Sequence, residues 1–134
     1  FNKIDSDGNF SQAGLGGTPG LPKAKNTQNQ AVQLAGANTH LHFNSHLGKW
    51  VMVYHEWASN SLAMATSTDL IHWAQQQTIA GTTSLWYPTV IGDTSSTNAG
   101  QTAVLYAARP VGGVNLAESH GKRELVGINV RFNR

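Results

Sequence analysis

The chain has 134 residues, of which 40% are hydrophobic and only 12% are charged, and its formal net charge is +2. One domain of ordinary size accounts for this length. The low charge, together with 14 glycines and many small polar residues, excludes a coiled coil or an ordinary helical bundle. The positive charges are scattered apart from Lys122-Arg123, which disfavours nucleic-acid binding, because that function needs a concentrated basic face.

The absence of cysteine excludes disulfides, Cys-ligated zinc and thiol catalysis. No apolar run approaches the ~20 residues that a helix needs to cross a bilayer, so we expect no membrane partner.

Residues 1–30 form a Gly- and Pro-rich segment that we predict to be a loop, because Gly and Pro both disfavour helix between residues 13 and 22. The run Asp5-Ser-Asp-Gly-Asn9 is similar to the start of a calcium loop. The glutamate that would complete such a loop is replaced by Gly16, so the pattern favours a simple turn.

From residue 38 onwards, β-branched and aromatic runs predict strands and no helix. The predicted strands cover residues 40–43, 50–54, 61–67, 69–73 with a continuation to 79, 87–91, 102–107 and 125–132. Residues 92–100 are expected to form a polar loop. Pro88 predicts that its strand lies at a sheet edge or begins there, since Pro cannot donate a ladder hydrogen bond.

The strand pattern repeats along the chain. Tyr54 and Tyr106 are 52 residues apart, as are Gly48 and Gly100. A period of ~40–50 residues with three or four strands is the size of a β-propeller blade. We therefore predict an all-β fold of antiparallel propeller blades in a single unit over residues 1–134, with a first blade at 38–80 and a second at 84–132.

Two stretches carry a family resemblance. Gly48-Lys-Trp-Val-Met-Val-Tyr54 and Ala63-Met-Ala-Thr-Ser-Thr-Asp-Leu-Ile-His-Trp73 resemble blade sequences of five-bladed propeller glycoside hydrolases of families 43, 32, 62 and 117. Trp86-Tyr-Pro-Thr-Val-Ile-Gly92 is similar to the inner strand of a late blade in such proteins. Sialidase-type six-bladed propellers carry related blade sequences and remain an alternative.

The resemblance implies a secreted, carbohydrate-active protein that hydrolyses glycosidic bonds if its active site is complete. A five-bladed enzyme needs ~300 residues, whereas about two blades are present here. We therefore expect either the C-terminal part of a longer enzyme or one protomer of a homo-oligomeric ring. In these families the catalytic carboxylates come mainly from the first three blades, so most of that set is expected to be missing.

Glycoside hydrolysis needs two carboxyl groups about 5–10 Å apart. Glu56 is the candidate general acid, because it follows a buried-looking strand and is flanked by His55 and Trp57, neighbours that can raise the pKa of a carboxyl. The second carboxylate is not identified, since Asp69 and Asp93 both fit turn positions.

Aromatic and imidazole side chains are the candidate ligand-binding groups. Trp57, Trp86 and Tyr87 are candidates to stack on sugar rings, whose C–H faces are apolar. His40 and His42 are two positions apart, so in a strand both project from one face. They could contact sugar or water beside His55, or bind a metal ion with His46 or His55 as the third ligand.

Three functions therefore stay open from the sequence. They are glycoside hydrolysis, glycan binding or a structural role without catalysis, and metal binding by the His40–His42 pair. No cofactor is assigned, and calcium and zinc are the candidate ions.

Overall fold

The computed structural model describes residues 2–3, 12–13, 24–25, 31–32, 36–74, 77–93, 95, 97–111 and 122–134. These residues contain twelve strands and no helix, which confirms the predicted all-β class. The strands are β1 Asn2–Lys3, β2 Gln12–Ala13, β3 Ala24–Lys25, β4 Ala31–Val32, β5 Gly36–Asn44, β6 Lys49–Glu56, β7 Ser61–Ser67, β8 Gln77–Thr78, β9 Trp86–Gly92, β10 Asn98–Ala99, β11 Thr102–Pro110 and β12 Arg123–Arg131.

Two larger sheets make up most of this structure. The first sheet has the order β10-β5-β6-β7-β8, and the second sheet has the order β12-β11-β9. All neighbours in them pair antiparallel except β10, which runs parallel to β5. Two further antiparallel pairs, β1 with β2 and β3 with β4, come from the N-terminal part of the chain.

The central strand β6 is buried on both faces, as its unbroken run of β-branched and aromatic residues predicted. On one face, Val51 and Val53 join Leu62 of β7 and, from the second sheet, Val90 and Leu105 in a shared core. On the other face, β6 contributes to a smaller cluster of Met52, Tyr54, Ala63, Ala65 and Trp73. The shared core fixes the second sheet against the first.

The sheets separate towards their outer strands. β9 packs against β5 and β6. Farther out, a cleft of 320 Å³ lies between the sheets, with Met64 and Ile79 on one side and Leu105 and Val130 on the other.

The second sheet repeats the first in structural detail. In β5, residues 38 and 39 form a bulge opposite Tyr54, and in β9, residues 87 and 88 form a bulge opposite Ala107. The first residue of each bulge has a positive φ, 57° at Asn38 and 54° at Tyr87, which is uncommon for residues other than glycine. The strand pair β9–β11 is therefore the structural equivalent of β5–β6.

This structural equivalence shows that the 52-residue spacing seen in the sequence does not connect equivalent residues. The bulges match Tyr54 with Ala107 and Val53 with Tyr106, so the two tyrosines are not equivalent. The turn of residues 45–48 joins β5 to β6, whereas a longer connection containing β10 joins β9 to β11. Because the connections differ in length, the sequence spacing between β5 and β9 differs from that between β6 and β11. A one-residue shift matters because it moves a side chain to the opposite face of its sheet.

From residue 38 onwards, the structure changes two of the predicted elements. The predicted strand at 69–73 is a turn, because the Ser67 hydroxyl accepts a hydrogen bond from the Leu70 N–H and the Asp69 carboxylate accepts two from the N–H groups of Ile71 and His72. The predicted loop at 92–100 contains the short strand β10, which pairs with β5. No local sequence pattern predicts this pairing. The edge position expected from Pro88 is confirmed, since β9 forms one edge of the second sheet.

Residues 1–30, predicted to be a loop, contain the short strands β1, β2 and β3. The rest of this segment, including the turn predicted at Asp5–Asn9, lies outside the described residues.

Candidate functional site

The two bulges lie at the same end of the molecule, which we call the bulged end. Antiparallel pairing places the end of β6 and the start of β5 together, and likewise the end of β11 with the starts of β9 and β12. The two sheets meet at this end, because His55 from the end of β6 stacks on Trp86 at the start of β9. Bulges and positive φ values cost backbone free energy and are common beside functional sites.

His55 and Trp86 form the centre of the bulged end. Their ring centroids are 3.7 Å apart with an interplanar angle of 17°, and His55 is only 1% exposed. His55 Nε2 lies 3.1 Å from Asn60 Oδ1. Because that oxygen only accepts, Nε2 carries the proton, and the buried Nδ1 has no hydrogen-bond partner in the described part of the chain.

Asn60 connects the hydrogen bond of His55 to Ser84, which precedes β9 of the second sheet. Its Nδ2 donates to Ser84 Oγ at 3.1 Å, and both residues have left-handed backbone conformations, with φ of 48° and 60°. The network therefore fixes the imidazole plane against one face of the half-buried Trp86 indole.

Tyr87 extends the aromatic surface. It is 50% exposed, its ring centroid lies 6.4 Å from that of Trp86, and the Arg123 guanidinium carbon lies 4.9 Å from the centre of its ring. Such a cation–π contact restrains the phenol ring. The neighbouring Glu124 pairs with Arg109 at 2.7 Å and not with Arg123.

Glu56 and Trp57 are also at this end. Glu56 ends β6, and its carboxylate accepts a hydrogen bond from the Ser59 hydroxyl. Burial, and then the charge of Glu56, raise the pKa of Tyr54 to about 12. Trp57 is 61% exposed in the following turn. The structure thus brings Glu56, His55, Trp57, Trp86 and Tyr87 to one end of the molecule.

Of the other carboxylates in the described residues, Glu124 lies at the bulged end near the start of β12, where it pairs with Arg109. Asp69 follows β7 and Asp93 follows β9, and both of these strand ends lie at the opposite end. Hydrogen bonds from His72, Ile71 and Ser67 lower the pKa of Asp69, in keeping with its turn role. A catalytic pair is therefore not identified around Glu56.

His40 and His42 lie on one face of β5, as their spacing predicts, with ring centroids 5.6 Å apart. His42 is 1% exposed, packs edge-on against Phe132, and has neither ring nitrogen hydrogen-bonded within the described residues. Burial, helped by the charge of His40, lowers the pKa of His42 to about 4. His42 is thus part of the core between the sheets.

The described residues contain no group of three or more His, Asp or Glu side chains that could hold a metal ion. His55 is bound to Asn60 and covered by Trp86. His46 lies in the turn between β5 and β6. The metal interpretation therefore has the two adjacent imidazoles of His40 and His42 and no third ligand in this part of the structure.

Sequence reasoning missed Asn38, Asn60, Ser84 and the role of Arg123. A weak signal exists for the two asparagines, because Asn tolerates the left-handed conformation better than most residues. No local pattern indicates that Arg123 reaches Tyr87, because the contact joins residues far apart in sequence.

Comparison of the chain with protein-family models, with curated proteins and with solved structures found no match. In the described residues, no helix is long and apolar enough to span a membrane.

Proposed function

We propose that the two large sheets are consecutive blades of a β-propeller and that the bulged end binds carbohydrate. The observation that carries the binding proposal is the aromatic surface of Trp86 and Tyr87, one ring held from below by His55 and the other by Arg123. Rigid aromatic rings bind the apolar faces of sugars with little loss of side-chain entropy.

The repeated bulge supports the propeller part of the proposal. Propeller blades are related by rotation about a central axis, so equivalent residues in successive blades all point in the same direction around the ring. In a sandwich of two sheets related by a two-fold axis, equivalent residues would instead point towards each other. Val53 faces the second sheet, and its equivalent Tyr106 lies on the side of the second sheet that faces away from the first. This arrangement fits rotation.

Location at the start of the inner strands supports the binding part. β5 and β9 are the first strands of the two blades, and β9 packs against β5 and equally against β6. In a propeller such strands line the central channel, where ligands bind. The bulges turn residues 38 and 87 out of the regular strand alternation, and Tyr87 is consequently half exposed.

Glycoside hydrolysis is the second candidate, favoured by the position of Glu56 at the same end as Trp86. In this proposal protonated Glu56 gives its proton to the glycosidic oxygen as the bond between that oxygen and the anomeric carbon breaks. A second carboxylate, not identified here, takes a proton from the water that attacks the anomeric carbon. Metal binding by His40 and His42 is the third candidate and rests on their 5.6 Å ring separation alone.

Titration calorimetry with a panel of neutral oligosaccharides tests the binding proposal. Trp86→Ala and Tyr87→Ala should each weaken binding about tenfold, since losing one stacking contact of ~1.4 kcal/mol corresponds to that factor. Leu41→Ala is the control, because Leu41 is 43% exposed and lies on the other face of the first sheet from His55. Equal affinities for all four proteins would contradict the proposal.

Glu56→Gln separates the two candidates. Binding should survive this substitution in both cases, whereas release of reducing sugar, if the wild-type protein shows it, should be lost. Turnover that persists in the Glu56→Gln variant would remove Glu56 from the catalytic role.

A further inference from the structure

The second sheet has one large face that the first sheet does not cover, and we call it the open face. It carries Ile91, Val104, Tyr106, Ala108 and Leu125, which project from the opposite side to the buried Val90 and Leu105. Ile91 is 41% exposed and Leu125 is 75% exposed. Val104, Tyr106 and Ala108 are half-buried. An apolar sheet face that its neighbouring sheet leaves uncovered indicates an interaction surface.

The structural repeat shows what the same positions do in the first sheet. The equivalent pairs are Val51 with Val104, Val53 with Tyr106, His55 with Ala108, His42 with Ile91 and Leu62 with Leu125. Each of the five first-sheet residues is at most 2% exposed. They are buried because the second sheet packs on them, so the open face is the repeat of a surface built to receive another sheet.

The outer face of the first sheet is the complementary surface. There Leu41 is 43% exposed, and the half-buried Phe43 and Trp50 pack edge to face with ring centroids 5.4 Å apart. In the second sheet the equivalents of these three residues are Val90, Gly92 and Ala103, all buried against the first sheet. The remainder of this outer face, from Met52 and Tyr54 to Ala63 and Ala65, is buried in a cluster with Trp73. The part of the outer face around Leu41, Phe43 and Trp50 is therefore the surface that matches the second half of the internal interface.

We propose that a second copy of this chain docks the outer face of its first sheet on the open face, repeating the interface between the two sheets within the chain. The contact is head-to-tail, because each copy offers a different surface on each side. Repetition of such a contact by rotation closes a ring. This inference concerns assembly and does not depend on carbohydrate binding.

Leu125→Asp and Leu41→Asp test the two surfaces separately. Light scattering on a sizing column should show an oligomer for the wild-type chain and a monomer for each variant. An equimolar mixture of the variants should form a dimer, because Leu41→Asp keeps an intact open face and Leu125→Asp keeps an intact outer face. Val111→Asp is the control for adding a charge at an exposed apolar site, since Val111 is 48% exposed and lies outside both faces.

A monomeric wild-type protein at the highest soluble concentration would overturn the proposal. Assembly that persists in Leu41→Asp but not in Leu125→Asp would also overturn it, because two open faces would then be meeting each other. Circular dichroism verifies that each variant is folded, and Leu41→Ser replaces Leu41→Asp if the charged variant unfolds.

Discussion

At the scale of single residues, burial decides the chemistry of the histidines. His42 and His55 are each 1% exposed, yet Asn60 satisfies one nitrogen of His55 whereas both nitrogens of His42 lack a partner in the described residues. A buried polar atom without a hydrogen bond costs about 1–3 kcal/mol. The two residues therefore have different roles. His55 holds Trp86 in place, whereas His42 makes the stability of the fold depend on pH.

The contribution of His42 to the free energy of unfolding should fall as pH decreases below about 6.5 and level off below about 4. In the folded chain, burial and the nearby His40 lower the pKa of His42 from 6.5 to about 4, so the unfolded chain binds a proton that the folded chain rejects in this window. Each pKa unit corresponds to about 1.4 kcal/mol, which makes the loss a few kcal/mol.

Urea unfolding of wild type and His42→Leu from pH 7 to pH 4 measures this effect. The variant should lose less stability than wild type over that range, because Leu has no proton to gain. His46→Leu is the control, since His46 lies in a turn and is only partly buried. Parallel curves for wild type and His42→Leu would show that the ring is not what makes the fold sensitive to acid.

At the scale of single elements, the bulges and crossings determine where side chains point. Gly92 ends β9 where β10 passes close by, and its N–H donates to the Ser95 carbonyl at 3.0 Å. A Cβ built at Gly92 would lie 2.5 Å from the Asn98 carbonyl oxygen and 2.8 Å from Ala99 Cα. The close approach of these two backbones thus requires glycine at position 92.

Gly92→Ala should lower the free energy of unfolding by about 1–3 kcal/mol, the usual cost of forcing a methyl group into a filled space. Gly100→Ala is a matched control on the same connection, because a Cβ there meets nothing within 4 Å. We expect Gly100→Ala to be neutral or slightly stabilising. Thermal unfolding followed by circular dichroism measures both, and equal midpoints would contradict the predicted crossing of β9 and β10.

At the scale of the whole molecule, the two large sheets depend on one shared core. Leu105 is 1% exposed and lines the cleft between the sheets together with Val53 of the first sheet. Because neither sheet buries its inner face without the other, we expect them to unfold together.

Leu105→Ala should cost about 2–5 kcal/mol, the range for removing a buried leucine side chain. Unfolding followed by tryptophan fluorescence and by far-ultraviolet circular dichroism should coincide in wild type and variant. Val111→Ala is the control, because Val111 is 48% exposed, lies outside the shared core and should change stability by less than about 0.5 kcal/mol. Two separate transitions in the wild-type chain would show that the sheets fold independently.

Local patterns predicted much of this structure. The β-branched and aromatic run of β6 identified the buried central strand, Pro88 identified an edge, and alternation placed His40 and His42 on one face. These features depend on a residue and its immediate neighbours, so the chain itself determines them. The candidate site was predicted in part, since His55, Trp86 and Tyr87 were selected for their side-chain chemistry alone.

Tertiary structure decided the features that join distant segments. The spacing of Tyr54 and Tyr106 looked like a repeat, but the bulges and the unequal connections moved the true equivalence by one residue and therefore to the other face. The stacking of His55 on Trp86, the contact of Arg123 with Tyr87 and the burial of the His42 ring nitrogens without a hydrogen bond from any described residue likewise arise only when the sheets pack. Strand propensity is a local property, whereas register and the choice of facing partners follow from burying one sheet against another.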